Sequence, residues 1–177
     1  DSLELSRKAA STDADVIVFC GVRFMAETAA IVNPKKTVLL PDISAGCPLA
    51  DMIDEHKLGE WKRDYPKAKV VCYINSSAAV KAMSDVCCTS ANAVEIVRQL
   101  EGEEILFVPD ENLGHFVSSR SGRGMILYPG FCPTHVRLNA EMMMVAKESY
   151  PDARVMVHPE CTSSVIGLAD VALSTSQ

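Results

Sequence analysis

"YPKAKVVCYIN" at 65–75 and "YPDARVMVHPE" at 150–160 share one frame, 85 residues apart. Internal repeats govern the reading of a fold, so this pair is followed outward first. At the same offset residues 47–86 lie over 132–171 without a gap, and 10 of the 40 pairs are identical. The identities include Cys47/Cys132, Pro48/Pro133, Tyr65/Tyr150, Pro66/Pro151 and Asp85/Asp170. Unrelated segments share only a few positions, so the segment is a duplication. Upstream, "TVLLP" (37–41) lies over "GMILYP" (124–129), and "DSLELSRKAA" lies over "TSANAVEIVR", pairing Ser2 with Ser90. Downstream, Thr89-Ser90 pairs with Thr175-Ser176. A third copy therefore opens at Thr175, and the first copy lacks the strand that should precede Asp1. The expectation is a piece of a three-repeat protein, divided as 1–88, 89–174 and 175–177; two repeats with ragged ends are the alternative.

Within each copy, short β-branched runs alternate with helical-period stretches. Strands are expected at 15–19, 37–41, 69–74, 104–109, 124–129, 154–158 and 171–174. Helices are expected at 2–11, 24–33, 48–64, 77–84, 91–100, 111–118, 138–149 and 162–169. Strands apolar on both faces, separated by amphipathic helices, predict an α/β fold of repeated parallel-sheet units. "LPDISAGCP", "VPDENLG" and "YPGFCPTH" follow the strands. They occupy carboxyl ends, where open α/β sheets place their sites.

Apolar residues make up 48% and charged residues 23% of the chain, ordinary values for a globular protein. A net charge of -6 with no Lys/Arg block argues against nucleic acid or an anionic membrane as partner. The chain shows no signal-peptide pattern and no apolar run of membrane-spanning length. Seven cysteines, an odd number, predict reduced thiols and a cytoplasmic setting. With no CxxC present, a metal site must assemble from cysteines distant in sequence.

Repeats that each bring one Cys to the same place can converge their thiols on one axis. Three such thiolates suit an iron–sulfur cluster with one iron open to substrate. Cys47 and Cys132 supply two; the third is expected about one repeat beyond Cys132, outside this chain. The other reading of both is a buried structural thiol. Ser2, Ser90 and Thr175 each follow a strand end and open a helix, as N-caps do. Helix starts facing one axis would bind phosphate or carboxylate groups.

At equivalent strand ends Tyr73 stands over His158, and Asn75 over Glu160. A pseudo-symmetric pocket for an asymmetric substrate requires such divergence. Tyr, His and Glu serve as general acids and bases when their pKa values are shifted toward neutrality. His135, three residues after Cys132, is expected beside any cluster. Cys20 and Cys87-Cys88 read as core packing. Cys161 is excluded as a ligand because Ser76 faces it in the repeat. "EMMMVAK" reads as a helix face filling a core gap, and Arg23 and Lys81 as solvated charges.

Several strings resemble quinolinate synthase over essentially the whole chain: "DSLELS", "LLPDISAGCPLADM", "SDVCCTSANAV", "PGFCPTH", "HPEC" and "STS". The resemblance implies three related α/β domains around a pseudo-threefold axis, with a 4Fe–4S cluster held by one Cys from each. It implies condensation of iminoaspartate with dihydroxyacetone phosphate to quinolinate, with loss of phosphate and water, on the route to NAD. By motif, Cys47 and Cys132 take the positions of cluster ligands. Tyr73, His158, Glu160 and His135 take catalytic positions, and Ser2, Asn75, Ser90 and Thr175 substrate-binding ones. The partners implied are small molecules, with a functional link to the enzyme supplying iminoaspartate. The alternatives are another three-Cys iron–sulfur enzyme or a non-catalytic α/β metal-binding module.

Overall fold

The computed structural model describes residues 2–100 and 102–177; Asp1 of the opening motif lies outside them. In chain order the elements are α1 (Ser2–Ala10), β1 (Val16–Val18), α2 (Arg23–Val32), β2 (Thr37–Leu39) and a 3-10 turn (Ala50–Met52). Next come α3 (Glu55–Asp64), β3 (Lys69–Tyr73), α4 (Ala78–Ala82), β4 (Val86–Cys88), α5 (Ala93–Gln99) and β5 (Ile105–Val108). The remainder is α6 (Glu111–Ser121), β6 (Ile126–Leu127), α7 (Pro133–Val136), α8 (Ala140–Ser149), β7 (Met156–Val157), α9 (Ser163–Ile166) and β8 (Val171–Ala172).

Among the described residues the strands pair only in parallel, in sheets ordered β1-β2, β4-β3-β5-β6 and β7-β8. The chain is therefore α/β with parallel sheets, as its alternating pattern predicts. Its centre is β3 and β5, buried along nearly their whole length. Side chains alternate across a strand, so the two faces of the central sheet build two cores. Val71, Tyr73, Ile105, Phe107 and Cys88 pack with Ala93, Val97, Leu113 and Val117 of α5 and α6. On the other face Val70, Cys72, Leu106 and Val108 pack with Leu58 of α3 and Val80 of α4. Each fully buried Val, Leu, Ile or Phe contributes about 1.5–3 kcal/mol. A smaller core of Met143, Val157, Cys161 and Val165 sits around β7 and β8.

The duplication is legible bond by bond. α3 and α8 begin and end at equivalent positions. Asp54 caps α3 by accepting from Lys57 N, and Asn139 caps α8 by accepting from Met142 N. Lys62 Nζ donates to Met83 O, and Lys147 Nζ to Leu168 O. Asp85 Oδ2 accepts from Val70 N at 2.8 Å, and Asp170 Oδ2 from Val155 N at 2.6 Å. The strand register repeats as well: Val71 lies beside Val86, and Met156 beside Val171. Identical residues were kept where they make the same bond.

Several elements differ from expectation. The helix expected over 48–64 is broken at Ile53 and Asp54, both extended, because Asp54 offers its carboxylate to the new helix start. The strand at Val86–Cys88 and the helical turn at Pro133–Val136 were not anticipated. α6 runs on to Ser121 and stops at Gly122, whose φ of 74° is the left-handed cap that glycine tolerates. The methionine stripe fills no continuous gap: Met143 is buried, whereas Met142 and Met144 are exposed. Cys20 and Cys87 are exposed and Cys88 is buried. Arg23 pairs with Asp51 and Glu27. Lys81 is half-buried and tied down; its ammonium donates to Thr28 Oγ1 and Ser76 O at 2.9 and 2.7 Å. No helix among the described residues is long and apolar enough to cross a membrane.

A short bridge brings the segment after β6 beside the end of β5, pairing Asp110 with Gly130. Glu111 N donates to Gly130 O at 2.8 Å. A Cβ on Gly130 would collide with the carbonyl oxygen of Pro109, which is backbone and cannot swing away. Gly130→Ala is expected to destabilise the fold by about 1–3 kcal/mol through overpacking, read as a lower midpoint in urea unfolding.

Candidate active site

The carboxyl ends of β3, β4, β7 and β8 empty toward one cavity of about 400 Å³. Tyr73 and Asn75 reach it from the end of β3, and Thr89 and Ser90 from the turn after β4. Cys132, Thr134 and His135 enter on and beside α7, His158 and Glu160 from the turn after β7, and Thr175 from the turn after β8. Ser2 closes it from the first turn of α1.

Glu160 is the hub. Its side chain is 4% exposed, and an isolated carboxylate that deep would be very costly to ionise. Tyr73 Oη donates to Glu160 Oε1 at 2.6 Å. His135 Nδ1 lies 2.9 Å from Glu160 Oε2, an ion-pair distance. Burial alone would raise the Glu160 pKa, but the contacts from His135 and Tyr73 outweigh it and hold it below the usual carboxylate value. The group is a paired, ionised carboxylate at neutral pH.

The neighbours take complementary states. Burial, and then the Glu160 charge, push the Tyr73 phenol well above its ordinary pKa, so Tyr73 is a neutral proton donor. The Cys132 sulfur and then Glu160 raise His135 to about 10. Burial lowers His158. Glu160 N donates to His158 Nδ1 at 3.2 Å, which assigns that nitrogen as acceptor and the proton of the neutral ring to Nε2. The two imidazoles stack with centroids 4.8 Å apart.

One face of this cluster suits a metal. The ligand atoms of Cys132, His135 and Glu160 all lie within 4.8 Å of one another. His135 Nδ1 is buried yet has no aligned hydrogen-bond partner, because the nearby carboxylate lies off its N–H direction. Cys47 does not line the cavity, but it packs against the same core as Cys132 and feels that sulfur's charge. Burial raises the Cys47 pKa, while the N–H groups of Ala50 and Leu49 pull it back. Cys132 precedes Pro133 at the first position of α7, while Cys47 and Pro48 lead into the 3-10 turn that begins at Ala50.

Every residue given a catalytic, substrate-binding or cluster-ligand position from the sequence lines this cavity except Cys47. Ser2 and Ser90 stand elsewhere than at an N-cap, Ser2 being the first residue of α1. Ser2 Oγ donates to Asn75 Oδ1 at 3.1 Å, crossing to another element. Ser90 stands two residues before Asn92, the true N-cap of α5. Thr175 lies in a turn after β8. Asn92 turns its side chain back to accept from Thr89 N at 2.7 Å, which fixes the loop bearing Ser90.

A sequence model of the family described as quinolinate synthetase A protein matches residues 1–177. The chain belongs to the quinolinate synthetase A family. Quinolinate synthase from Dehalococcoides mccartyi strain 195 is 57% identical over 177 residues, all of this chain and 59% of that protein. The Geobacter metallireducens protein of that name is 56% identical over 176 residues, covering 99% of this chain and 58% of its own length. Quinolinate synthase from Methanosarcina barkeri is 54% identical over 175 residues, covering 99% of this chain and 58% of its own length. The chain thus spans somewhat under three-fifths of the length of the relatives it matches.

Within this member of the family, Asp110 is a residue that sequence reasoning passed over. It is fully buried. Its Oδ1 accepts from Leu113 N at 2.7 Å, capping α6, and its Oδ2 from Cys132 N at 3.0 Å. One carboxyl thus joins a helix start to the backbone of Cys132. Burial first, and the Glu160 charge among the remaining causes, raise it to about 7. The signal was present in "VPDENLG", an Asp between a strand and an acidic first helical turn. Asp110→Ala removes the cap and strands Cys132 N, and is expected to cost about 1–2 kcal/mol, measured by urea unfolding against wild type.

Proposed function

We propose that the cavity is a quinolinate synthase active site, condensing iminoaspartate with dihydroxyacetone phosphate to quinolinate with loss of phosphate and water. The observation that carries this reading is the Tyr73–Glu160–His135 chain with Cys132 in the same cavity. The family and the names of the relatives support it. The reaction acts on small molecules, and an enzyme that forms iminoaspartate is the natural functional neighbour. The free thiols agree with a reducing, cytoplasmic setting.

The soft Cys132 sulfur beside an imidazole nitrogen with no aligned hydrogen-bond partner fits an iron–sulfur centre. Cys47 and Cys132 would hold two corners of a 4Fe–4S cluster, with a third Cys from outside this chain in a pseudo-threefold arrangement of repeats. When bound, it supplies a Lewis-acidic iron that polarises substrate oxygen or nitrogen.

The chain's own residues do the rest. Glu160, ionised and held at both oxygens, accepts a proton from substrate carbon during isomerisation. Tyr73 keeps that carboxylate oriented and donates its phenolic proton toward a departing hydroxyl. His158 presents Nε2–H, and stacking fixes its plane against His135. Asn75 and the hydroxyls of Ser2, Ser90 and Thr175 line the remaining wall and bind phosphate and carboxylate groups. Three hydroxyls from separate elements suit a substrate with several anionic oxygens.

The test uses the protein that carries this chain, reconstituted anaerobically with iron and sulfide. Tyr73→Phe and Glu160→Gln are each expected to lower quinolinate formation by about a hundred- to ten-thousand-fold while leaving the visible iron–sulfur absorption in place. Cys132→Ala should abolish that absorption. Undiminished turnover in Glu160→Gln would overturn the assignment and favour a non-catalytic metal module.

A further inference from the structure

β3 turns Tyr73 toward the cavity and Cys72 toward the opposite face of the sheet, where it joins the core with Val70 and Val80. Its neighbour in register on β4 is Cys87. Parallel strands lie about 4.8 Å apart, inside the span of about 4.4–6.8 Å between Cα atoms that a disulfide accepts. Residues paired in register point to the same face, so the two thiols are neighbours across the strands, and each perturbs the other's protonation. Cys72 is buried and Cys87 is solvent-exposed. One sulfur therefore meets solutes, and the other waits behind it.

The surroundings sort the two sulfurs chemically. The Cys72 contact, and then the Lys81 ammonium, lower Cys87 to about 7 against the burial that opposes them. Cys72 shifts the other way, first because of Cys87 and then because of burial. Its S–H donates to Tyr73 O at 3.3 Å. Lys81 is anchored by Thr28 and Ser76, with Glu27 the nearby carboxylate. An exposed thiolate beside a cation and a second thiol is the arrangement of exchange-reactive cysteines.

We propose that Cys72 and Cys87 form a thiol–disulfide exchange site, in which Cys87 takes up a low-molecular-weight disulfide and Cys72 resolves the adduct. The Cys87 thiolate attacks one sulfur of the disulfide; a new S–S bond forms, the old one breaks, and one small thiolate departs. Cys72 then gives its proton to solvent and attacks the Cys87 sulfur, expelling the second small thiolate. Counted from the dithiol, the protein loses two protons and two electrons, and the small disulfide is reduced to two thiols. The cross-link ties β3 to β4 one residue behind Tyr73 and two behind Thr89, both of which line the cavity. None of the ligands or acid–base groups assigned above takes part.

The test incubates the whole protein anaerobically with glutathione disulfide at neutral pH, then quenches with acid and maps peptides by mass spectrometry. Wild type is expected to show a Cys72–Cys87 cross-link, and Cys72→Ser a glutathione adduct at Cys87. Cys87→Ser is expected to leave Cys72 unmodified. The exposed Cys20 is the internal comparator, and Cys87 should react about tenfold faster or more. Where Ser unsettles the core, Cys72→Ala should give the same adduct. A lasting adduct in wild type, a cross-link joining other cysteines, or a Cys20 as fast as Cys87 would each overturn the proposal.

Discussion

The Glu160 carboxylate fastens three stretches of chain that are far apart in sequence. Tyr73 comes from the central sheet, His135 from the turn after Cys132, and Glu160 itself from the end of β7. A charge that deep is stable only while it is paired, so neither partner can move away without exposing the other to a large desolvation cost. The cavity is therefore shaped by electrostatics as much as by apolar packing. Asp110 extends the same logic by joining the start of α6 to the Cys132 backbone.

Duplication explains how this site came to be asymmetric on a symmetric frame. Bonds that hold the frame are retained in both copies: the Asp85 and Asp170 carboxylates on strand N–H groups, and Lys62 and Lys147 on helix-end carbonyls. Positions that face the cavity are freed from that duty. Tyr73 and His158 occupy one equivalent place, Asn75 and Glu160 another, and in each pair the second copy carries the ionisable group suited to its surroundings. The carboxylate of the second copy accepts a hydrogen bond from the phenol of the first.

The alternation of β3 separates two chemistries by one residue. Tyr73 serves the cavity, while Cys72 belongs to the other core and meets Cys87 across the strand. Pleating keeps them on opposite faces although their backbones adjoin. Reading Cys87 as core packing followed from the apolar look of "DVCC"; its strand is at the edge of the sheet, where one side remains open.

The parallel α/β class and the duplication were legible in the residues because both are local patterns: β-branched runs, helical spacing and a constant offset. So were most of the polar residues that line the cavity, since repeats place equivalent strand ends together, although Leu5, Met25, Ile74 and Thr134 were not among them. Less was legible where a side chain chose between partners. Asp54 ends one helical stretch to begin another, and Ser2 bonds across the fold to Asn75. Asp110 shows its role only once Cys132, twenty-two positions on, lies against it. Residue order determined the strands, the helices and the offset between copies, because backbone preference and burial pattern act over a few residues. Protonation states, ligand grouping and the Cys72–Cys87 pair were decided in three dimensions, because charge, desolvation and sulfur contact depend on distances that folding alone sets.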